Sequence, residues 1–337
     1  MNRDTLNNIQ MLRGIASLLV VFHHLLPHYF AMGGDLKIIE YISSWGFLGV
    51  DIFFIISGFI MAYTTFNKPR NLSSAKTFLK HRLFRIYLAY WIFWIMAFAI
   101  LYITNPQKID SLNLISSFFL TEINMNKLVL PISWSLSYEL YFYIIFAITF
   151  ISPTSLLNKI MPIIFLVILS LVLISSFSNL IDSSFFYSHF LLEFFSGVLL
   201  YLYREKIIKL WVAPFLIFIS IFSYYYGIDN EFKNGLYRVL TFGIGALTLV
   251  WLFLILEKEK IYRAKEYLVL LGDASYTIYL SHLVIIWLFY FSGSRDFFMK
   301  IEAPNLGFIV ILAIITIFSI IYYLKVEKPI YKKAISI

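Results

Sequence analysis

Ten apolar runs, each close to the twenty residues a helix needs to cross a bilayer, dominate this chain of 337 residues. Their approximate limits are 9–29, 45–66, 86–103, 131–151, 160–177, 185–203, 210–227, 236–256, 267–292 and 306–324. In hydrocarbon the backbone must satisfy its own polar groups, so runs of this length fold as helices. The expected fold class is all-α, a polytopic membrane helix bundle with about ten transmembrane helices. Hydrophobic residues make up 61% and charged residues 14%, and a soluble domain of this length has no interior large enough for that apolar surface. The stretch 111–121 is apolar but too short to span, and reads as an interfacial or re-entrant piece.

The net charge of +8 would suggest nucleic acid only if the basic residues formed a soluble patch. They sit between the apolar runs instead, so no nucleic-acid partner is expected and the positive-inside rule accounts for them. With the N-terminus inside, 19 Lys and Arg, from Arg3 to Lys333, fall in inside loops and 6 in outside loops. Both termini are therefore expected in the cytoplasm. The chain has no cysteine, which removes thiol catalysis, thiolate metal sites and disulfides. The first run lacks a basic leader and a small-residue cleavage site, so it reads as a retained span. No loop is long enough for a soluble domain, and residues 1–337 read as one integral-membrane domain with no fused extracytoplasmic domain.

Ionisable residues inside such runs are costly and by default functional. Arg13 and His24 lie eleven positions apart in the first run, nearly on one helix face and about 16 Å apart along the axis. His23 falls on another face. In the second run Asp51 starts at about the depth of His24, with Ser57 and Gly58 deeper. Asp51 either orients an imidazole, as a carboxylate beside a general base does, or is an interfacial residue; Gly58 either belongs to a site or lets helices pack closely. Arg82 and Arg85, in the basic loop ahead of the third run, would share one helical face at the cytoplasmic surface. They could clamp the phosphates of a soluble anionic cofactor, or simply mark an inside loop. Glu139 is a carboxylate in an aromatic stretch of the outer leaflet, where Trp134, Tyr138, Tyr141 and Tyr143 suit either an interfacial belt or sugar stacking. Glu193 and a second intramembrane histidine, His282, complete the set. The last run ends at Glu327-Lys328-Pro329, where proline is expected to stop the helix.

Together these motifs resemble the membrane-bound acyltransferase-3 family, which O-acetylates surface glycans and related acceptors. The resemblance rests on Arg13 with ten residues before His24, the Gly49-Val50-Asp51-Ile52-Phe53-Phe54 to Ser57-Gly58-Phe59 run, and Arg82-x-x-Arg85. It continues through Trp134-Ser135-Leu136-x-x-Glu139-x-x-Phe142-Tyr143, the Gly272 to His282 run and Glu327-Lys328-Pro329, in this order across nearly the whole chain. It implies an acyl-CoA donor from the cytoplasm, an acceptor on the outer side, and an essential role for Arg13 and His24. It also favours Arg82 and Arg85 as donor-binding residues. Two departures stand out. Some members carry a fused extracytoplasmic hydrolase-like domain, absent here, so an enzyme acting alone must receive its acceptor at the membrane site. The family often has an acidic residue shortly before the arginine, where this chain reads Asn8-Ile9-Gln10-Met11-Leu12, so no local counter-ion for Arg13 is obvious in that stretch.

The chemistry follows from the donor. A thioester is already activated, so the protein needs a base for the acceptor hydroxyl and a cation or donor for the developing oxyanion. The expected catalytic residues are His24 as general base, Asp51 or Glu139 orienting it, and Arg13, which also holds the donor arm with Arg82 and Arg85. Acetyl-CoA is the expected co-substrate, with no metal. The other partners are a glycan or lipid-linked glycan acceptor, membrane lipids, and optionally a second copy of the chain. An acyl-histidine or acyl-serine intermediate, with Ser57 nearest in motif, stays open beside direct transfer. The location implied is the bacterial cytoplasmic (inner) membrane. The rival reading is a transporter or flippase of a lipid-linked glycan that uses the same charged residues, though no inverted repeat supports it. A glycan polymerase would need a larger outer loop than 104–130.

Overall fold

Most backbone polar groups of the described residues find their partners within helices. The computed structural model describes residues 6–178, 180 and 185–336, and among them there is no strand. Arg3, one of the basic residues used for orientation, lies outside the described residues. The principal helices are α1 (Asn7–Ala31), α2 (Gly49–Thr65), α3 (Leu72–Thr104), α4 (Trp134–Ile148), α5 (Thr154–Phe177), α6 (His189–Ile207), α7 (Ala213–Asp229), α8 (Ile244–Lys258), α9 (Ser275–Phe291) and α10 (Pro304–Tyr322). Nine stretches among the described residues are long and apolar enough to cross a membrane. Glu266–Asp273 and α9 form a tenth if the pair, bent by 62°, counts as one span. The chain is a multi-pass membrane protein.

Three segments differ from the expectation. The third helix begins at Leu72 rather than near residue 86, so Arg82 and Arg85 stand within a continuous helix of 33 residues and not in a loop before it. Lys and Arg are good helix formers, and charge alone does not end a helix. The ninth span is not straight, because the chain turns at Ala274 between its two arms. At the other end Pro329 does not stop the chain's helical course. A π-turn, Tyr323–Glu327, follows α10, and Lys328–Ser336 is helical again. The π-turn directly before it is the local departure from α geometry, and Pro329 costs the ladder one N–H without ending it. The apolar piece expected at 111–121 contains one short helix, Leu114–Phe118.

The chain divides into two units. The first comprises Met1–Ala16, Leu48–Lys76 and Ile145–Gly272; the second comprises Ser17–Phe47, Thr77–Ile144 and Asp273–Ile337. In the first, α2 packs along α6 and α7 along α8. The α2–α6 contact depends on a reciprocal pair of glycines. A Cβ at Gly58 would collide with the carbonyl oxygen of Phe194, and one at Gly197 with that of Ile55. Backbones approach this closely only where neither helix carries a side chain. The N-terminus of α1 is held in the same unit by Glu257, whose carboxylate accepts the N–H of Asn7 at 2.6 Å and of Asn8 at 3.3 Å. Two of the first turn's orphan donors are thereby satisfied by a negative charge at the positive end of the helix. In the second unit α9 packs on α10, with Ser281 and Ser319 hydrogen-bonded at 2.9 Å. The short helix Leu114–Phe118 is tied to α3 through Trp91, which stacks on Phe118, and through Trp94, whose indole N–H reaches Ser117 Oγ at 2.9 Å.

Candidate active site

His24 and His282 meet in the second unit. Their ring centroids are 5.1 Å apart with the planes inclined at 36°. Among the described residues neither nitrogen of His24 is hydrogen-bonded; its other ring neighbour is His23, at 5.3 Å. His23 has a different task. A carbonyl only accepts, so its Nδ1–H donates to Ser43 O at 3.0 Å and ties α1 to the short helix that follows it, Lys37–Ser44. Adjacent residues on one helix thus point to separate partners, as their 100° spacing requires.

Below His282 on α9 the polar contacts continue. Tyr279 donates to Ile132 O at 2.8 Å and pairs with Ser135 Oγ at 2.7 Å, at the start of α4. One turn along α4, Glu139 accepts the hydroxyl of Tyr143. Tyr276 donates to Ile86 O at 2.8 Å, one residue from Arg85, and Thr277 donates to Glu327 Oε2. Tyr276 and His282 are six positions apart, so the level of Arg85 and the level of His24 are separated by about 9 Å along α9.

The two arginines are held differently. Arg82 lies over the rings of Phe78 and Tyr143, at 5.6 and 5.5 Å. Arg85 has Tyr143, Glu139, Glu327 and Tyr331 as its electrostatic neighbours. Yet it makes no hydrogen bond and no ion pair with a described residue. Its five N–H donors are thus available to an anion brought from elsewhere. Glu139, Arg82 and Arg85 are therefore brought into one group around Tyr143, and His24 is brought to His282.

Asp51 and Arg13 belong to the first unit. Asp51, entirely buried, has both carboxylate oxygens engaged by one guanidinium: Arg238 Nε donates to Oδ1 at 3.0 Å and Nη2 to Oδ2 at 2.7 Å. Asp51 and Glu139, both expected to orient His24, thus have Arg238 and Tyr143 as their hydrogen-bond partners. Glu193 is buried in the same cluster, beside Asp51 and Arg238. Arg238 was readable as an intramembrane cation that needed a carboxylate, although its partner is 187 positions away. Arg13 donates to the side chain of Gln10 at 2.9 Å, so a neutral amide stands where a local acid was looked for. Ser57 lies on α2 in the same unit. Among the described residues no group of three or more His, Asp or Glu side chains is placed to hold a metal ion.

No solved structure matches the chain. The exopolysaccharide production protein ExoZ of Rhizobium meliloti (strain 1021) is 29% identical over 300 residues, which cover 86% of this chain and 90% of that protein. A family model described as an acyltransferase domain matches residues 6–324, and the chain belongs to the membrane-bound acyltransferase-3 family.

Proposed function

We propose that this protein is an O-acyltransferase of the bacterial cytoplasmic membrane. It moves an acetyl group from cytoplasmic acetyl-CoA to a hydroxyl of a surface polysaccharide or its lipid-linked precursor. The observation that carries this reading is a guanidinium, Arg85, and an imidazole, His24, each without a hydrogen bond to a described residue, beside levels of α9 (Tyr276 and His282) about 9 Å apart. An anionic donor with a long flexible arm needs a cation for its phosphates and a base at the far end of the arm. The family supports acyl transfer, and the name of the similar Rhizobium meliloti protein supports an exopolysaccharide acceptor. The 19-to-6 distribution of basic residues supports the placement of both termini in the cytoplasm.

In this scheme His24 takes the proton of the acceptor hydroxyl as its oxygen attacks the thioester carbonyl. The C–S bond breaks, the acyl–oxygen bond remains, and the thiolate leaves and gains a proton. Arg82 and Arg85 hold the donor phosphates, with Glu139 fixed beside them by Tyr143. Arg13, three turns before His24 on α1, is the cation for the donor arm or the developing oxyanion. The test is incubation of membranes containing the protein with radiolabelled acetyl-CoA. Label in surface polysaccharide that is lost in His24→Ala is the expected result. Glycan translocation without label would replace this reading with a flippase.

A further inference from the structure

We propose that His282 is the positioning residue for His24. Its Nε2 accepts the N–H of the His24 imidazole and leaves the other His24 nitrogen as the lone pair that meets the acceptor hydroxyl. This rests on the reading of His24 as the base.

The tautomer of His282 follows from its surroundings. Its Nδ1 lies 3.2 Å from Ile278 O, a group that only accepts, so Nδ1 carries the proton and Nε2 carries the lone pair. His282 is entirely buried, and Nε2 has no hydrogen-bond partner among the described residues. Neighbouring donors are engaged elsewhere: the Tyr279 hydroxyl is given to Ile132 O, Ser281 is paired with Ser319, and His23 Nδ1–H is given to Ser43 O. The His24 ring, 5.1 Å away between centroids and without a hydrogen bond to a described residue, is the donor left at hand. The proposed bond requires a rotation of His24 about its side-chain bonds to bring the two nitrogens into range. Catalytic hydrogen bonds commonly tighten in this way once substrate is bound. The arrangement also explains why a polar ring occupies a dry position on α9. A neutral acceptor selects the tautomer of the base without placing a second charge in the membrane.

The test compares three variants in the full-length protein. His282→Phe keeps a ring of similar size and removes the acceptor. Its kcat should fall about a hundredfold with the KM for acetyl-CoA unchanged, because the donor arginines lie a turn and more away along α9. His282→Gln can present its amide oxygen near the position of Nε2 and should recover to within about tenfold of the parent. His282→Asn, too short to reach that position, should resemble His282→Phe. Full kcat in His282→Phe, or Asn recovering as well as Gln, would overturn the assignment. If His282→Phe fails to assemble, judged by size-exclusion profile, the Gln-against-Asn comparison decides alone. Loss of activity in His24→Ala with full activity in His282→Phe removes this inference and leaves the base in place. Full activity in His24→Ala removes the reading beneath it.

Discussion

Arg238 grips Asp51 through two charge-assisted hydrogen bonds, of 3.0 and 2.7 Å, at a position where Asp51 has no exposure to solvent. The pair joins the segment just after α7 to the first turn of α2 within one unit. Its main consequence is structural. Removing one partner of a buried pair leaves the other uncompensated, at a cost of about 3–5 kcal/mol. Arg238→Ala should therefore lower the yield of folded protein and its thermal midpoint in detergent. Asp51→Asn combined with Arg238→Gln should recover much of that loss. If the double variant is as unstable as the sum of the single ones, the pair is not coupled as described.

Arg85→Ala should raise the KM for acetyl-CoA by about ten- to a hundredfold, the worth of one or two charge-assisted contacts to phosphate. Its thermal stability should fall only modestly, since Glu139 and Glu327 lose a neighbouring cation but no hydrogen bond to a described residue is broken. Arg82→Ala should show a smaller KM effect and a clearer loss of stability, because that side chain covers Phe78 and Tyr143. Steady-state kinetics and a melting curve on the same two preparations check both statements. Equal KM effects with equal melting curves would contradict the division of labour.

Gly58→Ala places a methyl group against the backbone of Phe194, which cannot rotate away as a side chain could. A cost of about 1–3 kcal/mol is expected, with activity per folded molecule retained. Ser57→Ala, its neighbour, should lose neither stability nor turnover if transfer is direct. Loss of turnover at normal stability in Ser57→Ala would instead favour an acyl-serine intermediate.

The cysteine-free chain permits a direct test of sidedness. Lys127 and Ser73 are both exposed. A cysteine at Lys127 should react with an impermeant maleimide in intact cells, and one at Ser73 only after the membrane is opened. The reverse pattern would invert the topology inferred from the basic residues.

Most spans were legible because twenty apolar residues in lipid leave the backbone little choice. The exceptions share a cause. Between Leu72 and Arg85 the charges lower hydropathy while favouring helix, so an apolar-run reading starts the third helix fourteen residues late. Pro329 was read from its usual effect inside a helix, whereas the helical course continues through it behind a π-turn. Site residues were visible one at a time. That His24 meets His282, and Asp51 meets Arg238, depends on contacts between positions far apart along the chain, which no local spacing encodes. Arg82 and Arg85 were seen as a pair, but only the folded chain shows Arg82 over the rings of Phe78 and Tyr143 and Arg85 among Tyr143, Glu139, Glu327 and Tyr331.

The bond from His23 to Ser43 O has a bearing on its neighbour that its own chemistry does not reveal. A helix that is free to spin about its axis cannot aim a side chain, and an apolar helix in an apolar surround has little to stop it spinning. By locking one imidazole to a carbonyl outside α1, the chain fixes the azimuth of the whole turn, and the next residue inherits a bearing. His23→Ala should then leave the base chemically intact but poorly aimed, with turnover reduced by less than tenfold. An insertion in the connection that carries Ser43 should do the same without touching either histidine.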